Sequence, residues 1–261
     1  MKAHYWAYYP LTSDELDMLW DDASFSFGTN VLLGMYRSSP ELRTAFFDIL
    51  ESLKRRLWLP HHVGLEYHRN RVQVIQEQNS RVSSVLKAAN GLNTALTDAV
   101  RGLKGSSEPP TALKAFTTEL GKFRKAQSAV SLQDPFNGDD EILAKLTDLF
   151  IAPTTLGIAS TPEELVAFYD EGKERFEREV PPGYCDMGKP EPNRYGDLVI
   201  WLQLIGEAKA RAKPLILVTN DQKEDWWVRT GDTPIRLDRN SGKRCLVGQV
   251  SIAGSIPSTT S

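Results

Sequence analysis

An apolar run followed by a polar turn, PLILVT and then NDQ at residues 214–222, constrains the fold of this chain most strongly. Such an uninterrupted run is typical of a strand that is buried on both faces of a parallel sheet. A second strand is predicted at residues 24–27, where Phe25 and Phe27 alternate with serines. Because helical patterns separate the two strands, the order of elements predicts an α/β fold with a parallel sheet covered by helices.

The helices are predicted from the spacing of apolar residues and from capping residues at their starts. One helix begins at Ser39 and Pro40, and its predicted apolar stripe comprises Leu42, Phe46, Ile49, Leu50 and Leu53. The next segment, LWLP at residues 57–60, is predicted to be a short strand that its proline ends. Further helical patterns lie at residues 61 to about 104, 111–132, 139–151, 161–179 and 197–212.

These elements are predicted to form a single domain that spans residues 1–261. Its core is expected at residues of about 24–75 and 184–227, with the intervening helical patterns, about 76–183, as a long insertion. The weak patterns after the core predict a terminal hairpin or an extended strand. Residues 247–261, which include the low-complexity stretch GSIPSTTS, are predicted to be a flexible tail.

The composition is that of an ordinary globular protein, with 41% hydrophobic residues, 25% charged residues and a net charge of −3. No apolar run approaches the length of a membrane span, and the N-terminal segment lacks the pattern of a signal peptide. Cys185 and Cys245 lie far apart without metal-knuckle spacing, which favours a reducing compartment. The sequence therefore predicts a cytoplasmic protein with no membrane partner.

Charge is distributed unevenly along the chain. Residues 61–133 hold 10 Lys or Arg against 5 Asp or Glu, whereas residues 134–191 hold 5 against 14. Charge runs of this kind are most often solvated helix faces, and this interpretation fits both segments. The basic segment is nevertheless the one candidate that the sequence offers for a phosphate-binding surface.

Three acids lie where sheet folds concentrate functional residues, near the carboxyl ends of strands. Glu66 lies one turn into the helix after LWLP, Asp197 lies at the start of an apolar helix, and Asp221 follows the buried strand. Each also has a structural interpretation: a surface pair with Arg69 or Arg71 for Glu66, a helix cap for Asp197 and a turn for Asp221. All three acids are expected at one edge of the sheet, which favours a shared function.

Carboxylate oxygens without neighbouring Cys ligands are the donors that Mg²⁺ and Mn²⁺ prefer. Such a cation activates water and neutralises the charge that builds up on a phosphodiester. A zinc site is the alternative, because His61, His62 and His68 lie near Glu66. Adjacent histidines on a helix point about 100° apart, however, and no Cys joins them. We therefore favour histidines that lie on the surface or contact phosphates.

Five blocks of the sequence share a further pattern, which spans residues 24 to about 227. They are FGTNVLLGMYR, RLWLPHHVGLEYHRNR, GYCDMGK, RYGDLVIWLQLI and LILVTNDQKEDWW, and the last is the strongest signal. Together they resemble the PIN-like nuclease domains, in particular the subgroup with a large helical insertion. The resemblance implies an α/β fold of three layers, with a parallel sheet and a long inserted helical region.

The resemblance also implies roles for residues that match the family's motifs. Glu66, Asp197 and Asp221 match its catalytic, metal-binding acids. The implied supporting residues are Asn30, Thr219, Asp186 and Asp225. The first two match polar residues that orient carboxylates or contact metal-bound water, and the other two match further acids of the subgroup.

Gly28 departs from the family pattern, because the family has an aspartate there that usually serves as the central metal ligand. It is either a natural departure with weakened catalysis or an introduced, inactivating change. A glycine at a tight turn between a strand and a helix is also unremarkable on backbone grounds.

The resemblance implies a nuclease, a hydrolase that uses Mg²⁺ or Mn²⁺ to cleave phosphodiester bonds of RNA or single-stranded nucleic acid, with a bacterial defence or toxin-like role. Gly28 implies that this activity is impaired. The alternative is a catalytically silent PIN-like module that binds nucleic acid or a protein partner. Arg69, Asn70 and Arg71, on the helix that carries Glu66, are the predicted substrate contacts.

Overall fold

The structure is a computed structural model, and it describes residues 1, 9, 12–102, 111–128, 140–221, 223–230, 233–237 and 245–249. The helices are α1 (Ser13–Asp22), α2 (Thr29–Gly34), α3 (Pro40–Ser52), α4 (His61–Gly102), α5 (Thr111–Ser128), α6 (Glu141–Leu149), α7 (Pro162–Glu177) and α8 (Gly196–Arg211). The strands are β1 (Ser24–Phe27), β2 (Leu215–Thr219), β3 (Trp227–Thr230), β4 (Thr233–Leu237) and β5 (Cys245–Gln249). Short 3-10 turns lie between several of these elements.

A parallel sheet with the strand order β1-β2-β5 forms the centre of the fold. Strand β2 pairs with β1 from Ser24↔Leu215 onward and with β5 up to Thr219↔Gln249. All four residues of β1 are buried, as both faces of a parallel sheet require. The predicted α/β fold with a parallel sheet and a helical region is therefore confirmed. Strands β3 and β4 form a separate antiparallel hairpin.

The predicted strand at residues 57–60 is only partly present. Leu57 makes an isolated parallel bridge to Phe25, and Leu59 makes another to Leu156. The Trp58 N–H also donates to the Phe25 carbonyl at 2.9 Å. These residues are extended but form no regular strand, because Pro60 lacks an N–H and α4 begins at the next residue.

Helix α3 begins as its capping residues predict, since the Ser39 side chain accepts a hydrogen bond from the Leu42 N–H. Its buried face differs from the predicted stripe, because Phe47 is buried and Ile49 is 53% exposed. The helix is rotated towards Phe46 and Phe47, whose rings meet edge to face. Phe46 also packs edge-on against Phe27 of β1, so aromatic contacts with the sheet decide which face is buried.

Helix α8 carries the largest number of buried residues along its length, among them Leu198, Val199, Trp201 and Leu204. It begins at Gly196, so Asp197 lies in its first turn while the apolar residues that follow enter the core. Even so, none of the helices within the described residues has the length and apolar character that a membrane crossing requires.

The chain divides into two compact units. The sheet unit comprises residues 1–69 and 142–261, and the helical unit comprises residues 70–141. The helical unit is smaller than the predicted insertion at 76–183, because α6 and α7 supply buried residues such as Leu146 and Phe176 to the sheet unit. Within the helical unit, Arg71 pairs with Asp140.

Strand β5 overlaps the segment that was predicted to be a flexible tail. Residues 247–249, predicted to belong to the flexible tail, are the last three of this strand and pair with β2. The pairing joins residues about thirty positions apart, which local patterns do not reveal. The rest of the predicted tail, residues 250–261, lies outside the described residues.

Candidate active site

The first feature of the site is the junction between the ends of β1 and β2. Asn30, in the first turn of α2, donates through Nδ2 to the Thr219 hydroxyl at 3.2 Å. Its Oδ1 accepts from the Asn220 N–H at 3.2 Å. The Gly28 N–H donates to the Val218 carbonyl at 2.8 Å. These contacts fix the turn after β1 against the carboxyl end of β2, which is the edge of the sheet where the acids were expected.

Glu66 points into this junction from α4. Its Oε2 accepts a hydrogen bond of 2.7 Å from the Thr29 hydroxyl, and its Oε1 lies 3.6 Å from His62 Nε2. Burial raises the pKa of Glu66, and the Thr29 hydrogen bond opposes this rise. The surface pair with Arg69 or Arg71 is therefore not the arrangement that holds this carboxylate. Thr29 was missed by the sequence analysis, although it stands between two residues of the recognised turn.

Gly196 allows Glu66 to approach the start of α8. A Cβ atom at this position would lie 2.6 Å from Glu66 Oε1, closer than two such atoms can approach. Only glycine therefore fits beside this carboxylate without a displacement. The close approach brings Glu66 next to Asp197, the following residue of α8.

Asp197 is not the helix cap that its structural interpretation required, because the N-cap of α8 is Tyr195. Its Oδ2 instead contacts the Lys223 ammonium at 3.0 Å and accepts from Trp226 Nε1 at 3.4 Å. Burial raises the pKa of Asp197, the charge of Lys223 lowers it, and the charge of Asp221 raises it further. Asp197 is thus a buried acid that faces other charged groups.

Asp221 lies in a turn, and its carboxylate also faces the Lys223 ammonium. Its Oδ1 accepts from the Lys223 N–H at 2.9 Å, which is the hydrogen bond of an Asx turn. Its Oδ2 lies 3.5 Å from the Lys223 ammonium. The Asp221 N–H donates to the Thr219 hydroxyl at 3.1 Å, so Thr219 holds the backbone of Asp221.

The Lys223 ammonium joins the acids of this edge. It lies 3.1 Å from Asp186 Oδ2, 3.0 Å from Asp197 Oδ2 and 3.5 Å from Asp221 Oδ2. Burial lowers the pKa of Lys223, but the charges of Asp197 and Asp221 outweigh this effect and raise it above its ordinary value. Sequence analysis missed this residue. Its only sequence signal is its position within the block LILVTNDQKEDWW.

Asp186 and Asp225, the two further acids, occupy different environments. Asp186 Oδ2 accepts from Lys189 at 2.6 Å as well as from Lys223. Asp225 is fully buried, and its Oδ2 accepts from the Gly183 and Cys185 N–H groups. Burial raises the pKa of Asp225, and the Cys185 hydrogen bond opposes this rise. Asp225 therefore anchors a loop, whereas Asp186 takes part in the charged cluster.

The backbone at Gly28 does not require glycine. Its φ of −68° and ψ of 155° are open to any residue, and it is the N-cap of α2 without a side-chain hydrogen bond. A Cβ atom there would lie 3.2 Å from Asn30 Oδ1 and 3.3 Å from Thr219 Oγ1. Both neighbours are side-chain atoms that can move by a few tenths of an ångström. An aspartate therefore fits at this position and would act as an N-cap.

The predicted substrate contacts are divided between the two units. Arg69 is exposed and belongs to the sheet unit, whereas Asn70 and Arg71 belong to the helical unit. The Arg71 guanidinium pairs with Asp140 in a place where both side chains are largely buried. Arg69 is thus the one member of this trio that lies in the same unit as Glu66.

The donor set fits a hard divalent cation in its chemistry. Three carboxylates already surround a single cation, the Lys223 ammonium, and Glu66 lies beside Asp197. Within the ranges that the structure describes, however, no three or more His, Cys, Asp or Glu side chains are arranged to hold a metal ion. The described geometry is that of acids gathered around a lysine.

Comparison with known proteins agrees with this arrangement at the level of the family. The sequence profile described as a PIN like domain matches residues 24–240, which cover most of the chain. This chain belongs to the PIN-like domain family, as its sequence blocks predicted. PIN domains are commonly nucleases and typically use divalent metals. Comparison with curated proteins and with solved structures gives no match.

Proposed function

We propose that this chain is a metal-dependent nuclease that hydrolyses phosphodiester bonds of RNA or single-stranded nucleic acid, with activity reduced by Gly28. The observation that carries this proposal is that Asp197 and Asp221 contact the same Lys223 ammonium after the carboxyl end of β2. Glu66 lies against Gly196, the residue that precedes Asp197. The three acids come from α4, α8 and the loop after β2, so folding brings together residues that are far apart in sequence. Family membership supports the same reaction class.

In this proposal Glu66, Asp197 and Asp221 hold Mg²⁺ or Mn²⁺. The bound cation supplies Lewis-acid activation of water and neutralises charge on the phosphodiester. Thr29 orients Glu66 through its hydrogen bond of 2.7 Å, and Thr219 positions the backbone of Asp221. Asn30 holds both elements in register across the turn. These hydrogen bonds restrain the Glu66 carboxylate and the backbone of Asp221.

A catalytically silent PIN-like module that binds nucleic acid or a protein partner is the second candidate. Gly28 favours it, because the family's central carboxylate is missing while the backbone would accept an aspartate. The lysine among the remaining acids favours it too, since the cluster is already partly neutralised. Both candidates use the same site, and they differ in whether a bond is broken.

Restoring the missing carboxylate discriminates between the two. We expect the Gly28→Asp chain to cleave a fluorescent single-stranded RNA in Mn²⁺ at least about tenfold faster than the chain with Gly28, because a carboxylate joins the donor set. Gly28→Asn is the matched control, since its side chain has the same shape without the charge. The double variant Gly28→Asp with Asp197→Asn should lose the gain. Absence of cleavage in every variant would favour the silent module.

Substrate placement forms the last part of the proposal. An acidic site needs positive charge nearby to attract a polyanion, and we assign this role first to Arg69. Arg71 is less suited to a test, because its replacement also leaves Asp140 without its arginine. We expect Arg69→Gln to weaken binding of single-stranded RNA and to lower the log–log salt slope by about 0.7. An unchanged affinity and slope would assign Arg69 to a solvated helix face.

A further inference from the structure

A lysine side chain fills the place that a cation takes in a carboxylate cluster. Lys223 Nζ lies within 3.5 Å of Asp186, Asp197 and Asp221. The lysine side chain is 34% exposed, while the three carboxylates are only 12%, 20% and 17% exposed. The ammonium is charged at neutral pH, so it is a cation held by three mostly buried acids.

The loop around Lys223 is held at several points. Asp221 Oδ1 accepts from the Lys223 N–H, and the Lys223 carbonyl accepts from the Trp226 N–H at 3.1 Å. Asp225 bonds the backbone of Gly183 and Cys185. These contacts hold the backbone of Lys223 beside the acids, and the three carboxylates hold its ammonium.

The cluster holds more negative than positive charge. Three carboxylates contact the Lys223 ammonium, and the Lys189 ammonium contacts Asp186. Two of the same acids, Asp197 and Asp221, are those to which the proposed function assigns a divalent cation. A divalent cation and the ammonium cannot both lie against these two acids, because like charges a few ångströms apart repel strongly in a partly buried site.

We propose that Lys223 is a built-in counter-ion of the acidic cluster and competes with a divalent cation for Asp197 and Asp221. This inference rests on the proposed function in one respect, namely that these two acids are metal ligands. Lys223 partly neutralises the acids in the absence of metal, and metal entry displaces its ammonium. Gly28 shifts the competition towards lysine, because it removes one carboxylate that would favour the higher charge.

Calorimetric titration with Mn²⁺ tests the competition directly. We expect Lys223→Met to bind Mn²⁺ at least about tenfold more tightly than the unaltered chain, because the competing charge is gone. Lys189→Met is the matched control, since it also removes one positive charge beside the cluster, but its ammonium contacts Asp186, which is not assigned to the metal. Its affinity should change much less. Equal gains in both variants, or no gain in Lys223→Met, would overturn the proposal.

A second measurement uses the unaltered chain and covers the case in which Lys223→Met does not fold. Acetylation of lysines in the unaltered and the Gly28→Asp chains is followed by mass spectrometry, with and without Mn²⁺. The Mn²⁺ concentration is one that saturates the Gly28→Asp chain. We expect Mn²⁺ to increase labelling of Lys223 severalfold and to leave Lys213, which pairs with Asp22, unchanged. Unchanged labelling of Lys223 in both the unaltered and the Gly28→Asp chains would contradict displacement.

The outcomes separate this inference from the proposed function. Cleavage of RNA by Gly28→Asp reports on the nuclease and does not depend on where the Lys223 ammonium lies. If Gly28→Asp cleaves RNA while Lys223→Met gains no Mn²⁺ affinity, the nuclease stands and the competition is wrong. If Lys223→Met gains affinity while no variant cleaves RNA, the competition stands and the nuclease is wrong.

Discussion

The two ends of the parallel sheet carry side chains of opposite charge. At the carboxyl end, the acids Asp186, Asp197 and Asp221 share one lysine side chain. At the amino end, Arg55, Arg56, Arg211 and Lys213 line a pocket of about 320 Å³ together with Asp22 and Ser24. The carboxyl end is rich in acids and the amino end is rich in bases, although both belong to the same unit.

The partners of these charges differ as well. Arg56 donates to the backbone carbonyls of Trp20 and Asp21, and Arg211 donates to that of Thr154 at 2.9 Å. Lys213 pairs with Asp22 at 2.7 Å, where both side chains are about half exposed. The cations of the amino end thus tie loops and helix ends together, mostly through backbone oxygens.

The two ends therefore differ in the contacts of their charged side chains. Arg56, Arg211 and Lys213 contact helix ends and loops around the amino end. Acids that are crowded around one ammonium are costly to bury, because each carboxylate loses hydration and repels the others. Such an arrangement is rarely explained by folding alone, which supports the proposal that the carboxyl end of the sheet holds the functional site.

The largest expected effect concerns the thiol of Cys185 at the carboxyl end. Cys185 is exposed, yet partial desolvation of its thiol, and then the charge of Asp225, raise its pKa to about 11. At pH 8 we therefore expect alkylation by iodoacetamide to be about a hundredfold slower than for an unperturbed thiol, since only the thiolate reacts. Peptide mapping by mass spectrometry measures the rate at this residue. The alkylation rate should rise as the pH is raised beyond 9, and it should be faster in Asp225→Asn. A rate equal to that of a free cysteine peptide would contradict an acidic environment around Cys185.

The second effect is on the stability of the metal-free protein. Lys223→Met leaves three carboxylates without their shared cation, which in a buried site costs roughly 3–5 kcal/mol. Because the lysine is 34% exposed, solvent screening reduces our expectation to about 2 kcal/mol. Urea unfolding in EDTA measures the free energy of unfolding. A loss no larger than that of Lys213→Met, the exposed lysine at the amino end, would mean that the two ends do not differ.

The smallest expected effect is at the amino end. Arg56→Gln removes hydrogen bonds to two carbonyls and the stacking of the guanidinium over Trp20 and Phe25. We expect a loss of about 1 kcal/mol, because the exposed carbonyls bond water instead. Affinity for Mn²⁺ should be unchanged. A change in Mn²⁺ affinity in this variant would show that the two ends are coupled.

Much of the fold can be predicted from local patterns. Strand β1 lies at the predicted residues 24–27, and Ser39 caps α3 as expected. The exposure of Ile49 and the pairing of β5 with β2 were not predicted, because aromatic packing and long-range pairing decided them. Periodicity shows that a helix has an apolar face, but partners elsewhere in the chain select which residues are covered.

In the site, too, some features could be predicted from the sequence and others could not. The positions of Glu66, Asp197 and Asp221 could be predicted, since strand ends and helix starts place acids at one edge. The role of Lys223 could not, because it depends on an Asx turn that directs the side chain back towards residues nearly forty positions away. The fit of an aspartate at Gly28 also required backbone angles and the distances to Asn30 and Thr219.

The central claim is that the acids at the carboxyl end can exchange the Lys223 ammonium for a divalent cation once Gly28 is replaced by aspartate. An anomalous difference map from Mn²⁺-soaked crystals of Gly28→Asp tests it most directly. We predict a peak at about 2.0–2.2 Å from carboxylate oxygens of Asp197 and Asp221, with the Lys223 ammonium moved away from both. A map without a peak at these acids, with Lys223 still in contact with all three carboxylates, would contradict the claim.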